Sequence, residues 1–352
     1  MNIRTKLIKS NINNIILEND NGVVVELLSY GACLKSLSIP YKGERRTITQ
    51  SFVDYDEYIK NNTAYCGKIL GPNAGRINSA VGIDLKNGTT LHPSINERGV
   101  NNLHGGNNSI STKNWEVINK AFDNNKAEVI FATSQKDGVD GYTGNREYKV
   151  IYTLDNKNNL TINLNATSDL DTYINMSSHA YWNLNGNSDE GLDQYFKVNA
   201  ISLAFNAEEG GVPEKTVILS KIEEENNISF SKNLKLKDLQ IDNNDSDYSK
   251  QIKRSNGLNS GFIFKDHNIN SLLCSLTSKD KDIILEAYSD APAMVAYSSG
   301  SMDEGKELEN NQISKKSCSI ALEFQELPSI QSPTILKANK QFNRTITFKV
   351  KF

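Results

Sequence analysis

The chain has 352 residues and a formal net charge of -3, which denies it the basic footprint of a nucleic-acid or anionic-membrane binder. Hydrophobic residues make up 38% and charged residues 23%, the balance of a soluble globular protein, and no run approaches the roughly 20 apolar residues of a membrane helix. Four scattered cysteines, Cys33, Cys66, Cys274 and Cys318, form no Cys-x-x-Cys pair, so reduced buried thiols are expected rather than a zinc site or a disulfide framework.

In chain order, the N-terminal twenty residues lack the apolar stretch of a secretory signal, and a cytoplasmic setting is expected. Val23 to Leu28 reads as a strand that turns at Tyr30-Gly31. Lys126 to Thr133 reads as another, and Tyr148–Leu154 with Leu160–Ala166 as a hairpin about the polar turn 155–159. The stretch from Glu223 to Asn256 is the most polar. It is expected to be a long surface excursion with one short helix near Leu234 to Leu239. Arg344 to Phe352 alternates to the end. Short β-branched and aromatic runs separated by Asn, Asp and Gly clusters are the pattern of an all-β sandwich or barrel. No linker divides the chain, so residues 1–352 are expected to form a single domain.

Only four histidines occur: His92, His104, His179 and His267. His104 lies in Asn101-Asn-Leu-His-Gly-Gly106, where two glycines let the backbone turn tightly and leave the imidazole uncrowded. His179 lies in Ser178-His-Ala-Tyr-Trp-Asn-Leu184, close to the aromatic faces of Tyr181 and Trp182. Aromatic walls with a few placed polar groups suit a sugar pocket. His92 and His267 sit in loop-like contexts and are expected to be solvated. Glu323 lies in Cys318-Ser-Ile-Ala-Leu-Glu-Phe-Gln325. Strand alternation puts Ile320, Leu322 and Phe324 on one face, and Ala321, Glu323 and Gln325 on the other, a polar face directed away from the core.

Two other motifs point away from cofactors. Gly71-Pro-Asn-Ala-Gly-Arg-Ile77 has the glycines of a phosphate loop without its Gly-Lys-Ser/Thr ending. Asp137-Gly-Val-Asp-Gly-Tyr-Thr-Gly144 begins like a calcium loop, but its twelfth position is Tyr148 instead of glutamate, so a tight hairpin is expected. No His-x-His or His-Glu-x-x-His cluster suggests a metal.

In their order and spacing, these motifs together resemble the aldose 1-epimerase (galactose mutarotase) family. The likeness runs from Asn21–Leu37 through Gly71–Ile77, Asn102–Gly106, Asp137–Gly144 and Ser178–Leu184 to Gly257–Phe264 and Leu322–Gln325, nearly the whole chain. It implies a large β-sandwich of the galactose-mutarotase (supersandwich) type. It implies no cofactor and no metal, a monosaccharide or short oligosaccharide as partner, no nucleic acid or membrane partner, and a monomer or homodimer. It assigns Glu323 as catalytic base and His179 as catalytic acid. His104 and Arg76 become sugar-positioning residues, His104 also stabilising the transition state, and Tyr181 and Asn259 substrate-binding residues. The chemistry asks for a proton taken from the C1 hydroxyl while the ring oxygen is protonated, with carboxylate and imidazole on opposite sides of the ring.

This chain departs from the family at several positions. Pro72 and Gly75 stand where Arg and Asn are common, leaving only Arg76. Asn259 replaces an aspartate, Val295 a glutamine and Asp193 a histidine. An amide still donates and accepts hydrogen bonds but lacks the charge that strengthens them. The alternative reading is therefore a non-catalytic carbohydrate-binding protein on the same fold. An epimerase of hexose 6-phosphates would want a basic cluster beyond Arg76, and a glycoside hydrolase a second carboxylate beside Glu323.

Overall fold

The computed structural model describes residues 1–8, 11–60, 64–240 and 244–352. Its spine is a nine-stranded antiparallel sheet. The strands run in the order Glu116–Phe122, Lys126–Gln135, Arg146–Asp155, Asn159–Ser168, Gln341–Lys351, Ile284–Ser289, Leu272–Thr277, Tyr195–Val198 and Leu234–Lys235. The expected hairpin pairs Leu154 with Leu160 and Tyr148 with Ala166. Along Arg146–Asp155, Tyr148, Val150, Tyr152 and Leu154 are buried while Glu147 and Lys149 face solvent. Period-two alternation thus becomes a one-sided apolar face that needs a covering layer.

Two smaller antiparallel sheets provide it. One takes Asn2–Leu7, Asn13–Glu18, Val24–Leu28, Cys33–Tyr41 and Glu44–Thr47 in chain order. The other runs Tyr181–Trp182, Ile320–Gln325, Ala293–Tyr297, Asn259–Ile263, Ser202–Asn206 and Pro213–Ile218. A continuous apolar cluster joins Leu17, Val25 and Leu37 of the first to Val150, Leu164 and Phe348 of the spine and Leu322 and Phe324 of the second. The Trp182 and Phe324 rings lie 4.7 and 6.3 Å from that of Phe348, which locks the site-bearing sheet onto the spine. Each such side chain contributes roughly 1.5–3 kcal/mol by leaving water. The molecule is the expected all-β sandwich.

The stretch from Glu223 to Asn256 is not a surface excursion. Its described residues hold the expected short helix, at Leu236–Leu239, with the end of Leu219–Asn226 before it and Asp247–Ser255 after it. Leu236, Leu239, Tyr248 and Ile252 are buried in the main core. Tyr248 and Ile252, four apart, share one helical face, a pattern hidden among polar neighbours. The Asp137–Gly144 segment does link two paired strands, but through a 3-10 turn at Val139–Gly141. There the Asp140 carboxylate accepts from Ser94 Oγ and the Asn108 amide. All four cysteines are free and buried, and burial pushes the Cys33 thiol up to about 12, which makes it inert. Among the described residues no helix is long and apolar enough to cross a membrane.

Candidate functional site

The outer face of the six-stranded sheet forms the floor of a cavity of about 510 Å³. Strand register sets which side chains line it. Val295 pairs with Gly261 on one side and Glu323 on the other. One row along, Tyr297 pairs with Asn259 and Ala321, and Ala321 with Tyr181. Alternation therefore puts Asn259, Tyr297, Tyr181, Val295, Glu323 and Gln325 on one surface. All six line the cavity. The expectation that Glu323 and Gln325 share a face holds. The face is recessed, however: both residues are buried, at 4% and 1% exposure, at the bottom of the cavity.

His179 enters from the side. Its backbone N–H donates to Lys68 O at 2.9 Å and its carbonyl accepts from Gly67 N–H at 3.0 Å. The preceding Ser177–Ser178 pairs with Ile69–Leu70, and the following Tyr181–Trp182 with Ile320–Gln325. Held between two strands, the ring brings Nε2 to 3.5 Å from Glu323 Oε1. This separation corrects the expected geometry, because groups so close cannot flank a sugar ring. The two oxygens they would serve hang on one carbon, so neighbouring groups suit the chemistry.

His104 stands beside them, its ring centre 5.3 Å from that of His179. Its backbone N–H donates to Gly75 O at 3.0 Å, and Gly75 N–H donates back to His104 Nδ1 at 3.1 Å. With Nδ1 accepting, a neutral His104 carries its proton on Nε2 and is a hydrogen-bond donor there. Glycine suits position 75. Its φ is +77°, and a Cβ would come within 2.7 Å of Gln325 Oε1. The Gln325 amide fills the space that a side chain at position 75 would need.

Arg76 lines the cavity with its guanidinium on Glu97, Nη2 to Oε1 at 3.1 Å and Nε to both carboxylate oxygens at 3.3 Å. Glu97 also binds Arg98 Nε at 2.9 Å and Asn101 Nδ2 at 2.7 Å. Arg254, another lining residue, pairs with Glu208 at 2.9 Å. These arginines are each engaged by a carboxylate, Glu97 being shared with Arg98, and do not make a phosphate cradle. The Tyr181 hydroxyl donates to Ala64 O, and its ring lies 4.9 Å from that of His179. Asn259 O accepts from Asn206 Nδ2. His92 and His267 lie outside the cavity, exposed, each with Nδ1 on a backbone carbonyl.

Burial moves the two central groups in opposite directions. Desolvation raises the Glu323 carboxyl to about 8, against the pull of Arg76. It lowers His179 to about 4 and His104 well below the usual imidazole range, helped by its neighbours His179 and Arg76. Paired groups pushed apart in this way mark acid–base sites. His104, His179 and Glu323 also offer three ligand atoms within 4.8 Å of one another. A metal-binding histidine donates its other ring N–H to an acceptor. At His104 that second nitrogen instead faces the Gly75 N–H, a polarity that suits a proton donor.

Sequence reasoning missed Tyr65, Glu97, Arg98 and Tyr297. Each reaches the site through a loop or a cross-strand pairing that no local pattern announces.

A family model described as "Aldose 1-epimerase" matches residues 13–349. The chain is 33% identical to the aldose 1-epimerase of Escherichia coli (strain K12) over 201 residues, 56% of this chain and 55% of that enzyme. The chain thus spans about half the length of that relative. It is 26% identical over 329 residues to the aldose 1-epimerase of Streptococcus thermophilus, covering 92% and 88% of the two chains. The galactose 1-epimerase from Lactobacillus acidophilus NCFM has the same fold, with a TM-score of 0.81 at 27% identity over 99% of this chain and 98% of that one.

Proposed function

This chain belongs to the aldose 1-epimerase family, and on that premise we propose that it is an isomerase that interconverts the α and β anomers of a hexose such as glucose or galactose. The observation that carries the reading is the pair of buried, oppositely shifted groups, His179 and Glu323, 3.5 Å apart on the cavity floor.

In the proposed cycle Glu323 removes the proton from the C1 hydroxyl while His179 protonates the ring oxygen. The C1–O5 bond breaks, the C1 carbonyl forms, and the aldehyde end rotates about C1–C2. Closure on the other face returns one proton from Glu323 to O1 and one from O5 to His179. The pair holds a single proton throughout, so it finishes as it began. His104 donates through Nε2 to a sugar oxygen, and Arg76, Tyr181 and Asn259 orient the hydroxyls. Positioned acid–base groups typically contribute ~10²–10⁴-fold each. The residues supply the whole proton path, and no step calls on a metal or cofactor.

Polarimetry on fresh α-D-glucose, α-D-galactose and maltose tests the proposal. Folded protein that accelerates none of them over buffer would sink it. Glu323→Gln and His179→Asn should each abolish most activity, and full turnover by Glu323→Gln would remove the assigned base. A second reading, sugar binding without catalysis, draws on the neutral Asn259 and apolar Val295 in the cavity wall. Calorimetric binding without anomer exchange by NMR would favour it.

A further inference from the structure

Tyr65 stands out among the cavity-lining residues that neither sequence patterns nor the mechanism has used. Its φ is +49° and that of His104 is +51°, the left-handed region, which disfavours side chains with a Cβ. The two strained residues touch. The Tyr65 ring meets His104 edge-on at 4.6 Å and lies stacked over His179 at 6.2 Å. Strain in a pocket wall persists only where the surrounding structure enforces it.

Here the enforcement is visible. Tyr65 opens a turn in which its carbonyl accepts from Lys68 N–H at 3.0 Å. The same turn grips the backbone of His179 through Gly67 and Lys68. One four-residue segment therefore fixes the His179 main chain and covers its ring. No glycine could do the second task, which accounts for a tyrosine where the backbone favours glycine.

We propose that Tyr65 is a positioning residue of the epimerase reaction, wedged against both imidazoles to fix their orientation and keep water from them. The inference rests on the mutarotase reading of the site. The groups facing His179 are Glu323 from the floor strand, His104 from its loop and Tyr181 from its own segment. Those facing His104 are His179 and Arg76, the latter held by Glu97. From the Tyr65 turn, Lys68 directs its Nζ to the Tyr30 ring instead. With charges so arranged, dehydration is the first cause of the low affinity of both rings for a second proton.

The test compares Tyr65→Gly, which suits the left-handed backbone, with Tyr65→Phe, which keeps the ring. Two readouts are needed: kcat/KM against pH, and titration of the histidine ring protons by NMR. For Tyr65→Gly we expect a loss of kcat/KM of ~10-fold or more at pH 7. Water readmitted to the rings should also raise the His179 midpoint by about one pH unit or more. Tyr65→Phe should stay within about threefold of the parent, with an unmoved midpoint. A Tyr65→Gly protein with native circular dichroism and an unmoved His179 midpoint would overturn the proposal. So would a Tyr65→Phe protein as impaired as Tyr65→Gly, which would assign the role to the hydroxyl. The NMR titration needs no turnover, so it can fail or succeed independently of the mutarotase reading.

Discussion

Replacing Glu323 by glutamine should stabilise the fold in alkaline solution while removing activity. Glu323 is buried, and its carboxyl rises from an ordinary 4.5 to about 8. A group whose folded-state pKa is raised contributes stability fully below the unfolded value and loses it as pH climbs through the folded value. Each pH unit between the two is worth about 1.36 kcal/mol, so the full interval amounts to on the order of 4–5 kcal/mol. The cavity opens to solvent and relaxes around the charge, which reduces the working figure to on the order of 3 kcal/mol. Glutamine does not ionise, so the variant escapes this loss. At about 2.1 cal/mol/K per residue, a chain of 352 residues has an unfolding entropy of ~0.7 kcal/mol/K. The variant should therefore gain ~4 °C in Tm over the parent at pH 8.5, relative to their difference at pH 5. His179 titrates in both proteins and largely cancels in the comparison. Differential scanning fluorimetry at the two pH values is sufficient. A difference in Tm that stays constant between them would refute the reasoning, because it would mean that the carboxylate ionises in the pocket without penalty.

Other predictions follow from the same geometry. The free-enzyme profile of kcat/KM should be bell-shaped, falling on the acid side near about 4, where His179 gains a second proton for the pair, and on the alkaline side near about 8, where Glu323 loses the last one; a flat profile between pH 5 and 10 would contradict a shared-proton pair. Val295→Gln sets an amide donor across the strand pair from Glu323 and should draw the alkaline limb down by about one pH unit, visible in the same profile. Asn175→Ala removes a buried amide that bonds Asn73 Oδ1 and Glu326 O and accepts from Glu326 N–H and Arg344. It should cost roughly 2–4 kcal/mol in urea unfolding and ~10-fold or more in kcat/KM, since it ties the Arg76 turn to the Glu323 strand. His267→Asn, exposed and outside the cavity, should leave kcat unchanged.

Alternation made the strands readable because one face of each had to be apolar. Tyr148, Val150, Tyr152 and Leu154 announce their sheet directly. Of the helices between Glu223 and Asn256, the short one at Leu236–Leu239 was legible, while Asp247–Ser255 was not, because only Tyr248 and Ile252 carry its apolar face among Asp, Lys, Arg and Ser. Glu323 and Gln325 could be placed on one face from the sequence, but not their depth, which the cavity walls set from elsewhere in the chain. His104 and His179 were weighed chiefly by resemblance to a family, since a histidine beside glycines or aromatics has many uses. The adjacency of Val295 to Glu323 is a matter of register between strands nearly thirty residues apart. Tyr65 had no local signature, because what singles it out is a positive φ and two ring contacts, both properties of the folded chain. Gly75 was legible only as a departure, and its explanation, the Gln325 amide in the space beside it, needed both segments in view.

The opposite shifts of the proposed base and acid look at first like an obstacle, since burial favours a protonated Glu323 and a neutral His179. That is the proton arrangement the pair reaches once the ring has opened. With the cyclic sugar bound, the reactive arrangement is the ion pair, carboxylate and imidazolium. With the open-chain sugar bound, it is the neutral pair. Desolvation penalises the first and spares the second, so a dry pocket lowers the open-chain state relative to the cyclic one. A positive charge nearby would work against this, because it would hold Glu323 ionised. Arg76 is such a charge, and its pull on Glu323 is felt. Glu97 binds that guanidinium at Nε and Nη2 and, though shared with Arg98, offsets part of its field, so Arg76 can orient a sugar while burial still governs Glu323. Removing the Glu97 charge alone, as in Glu97→Gln, should thus lower the alkaline limb of kcat/KM without touching either proton-transfer group. An unmoved limb would show that Glu97 serves only to place the arginine.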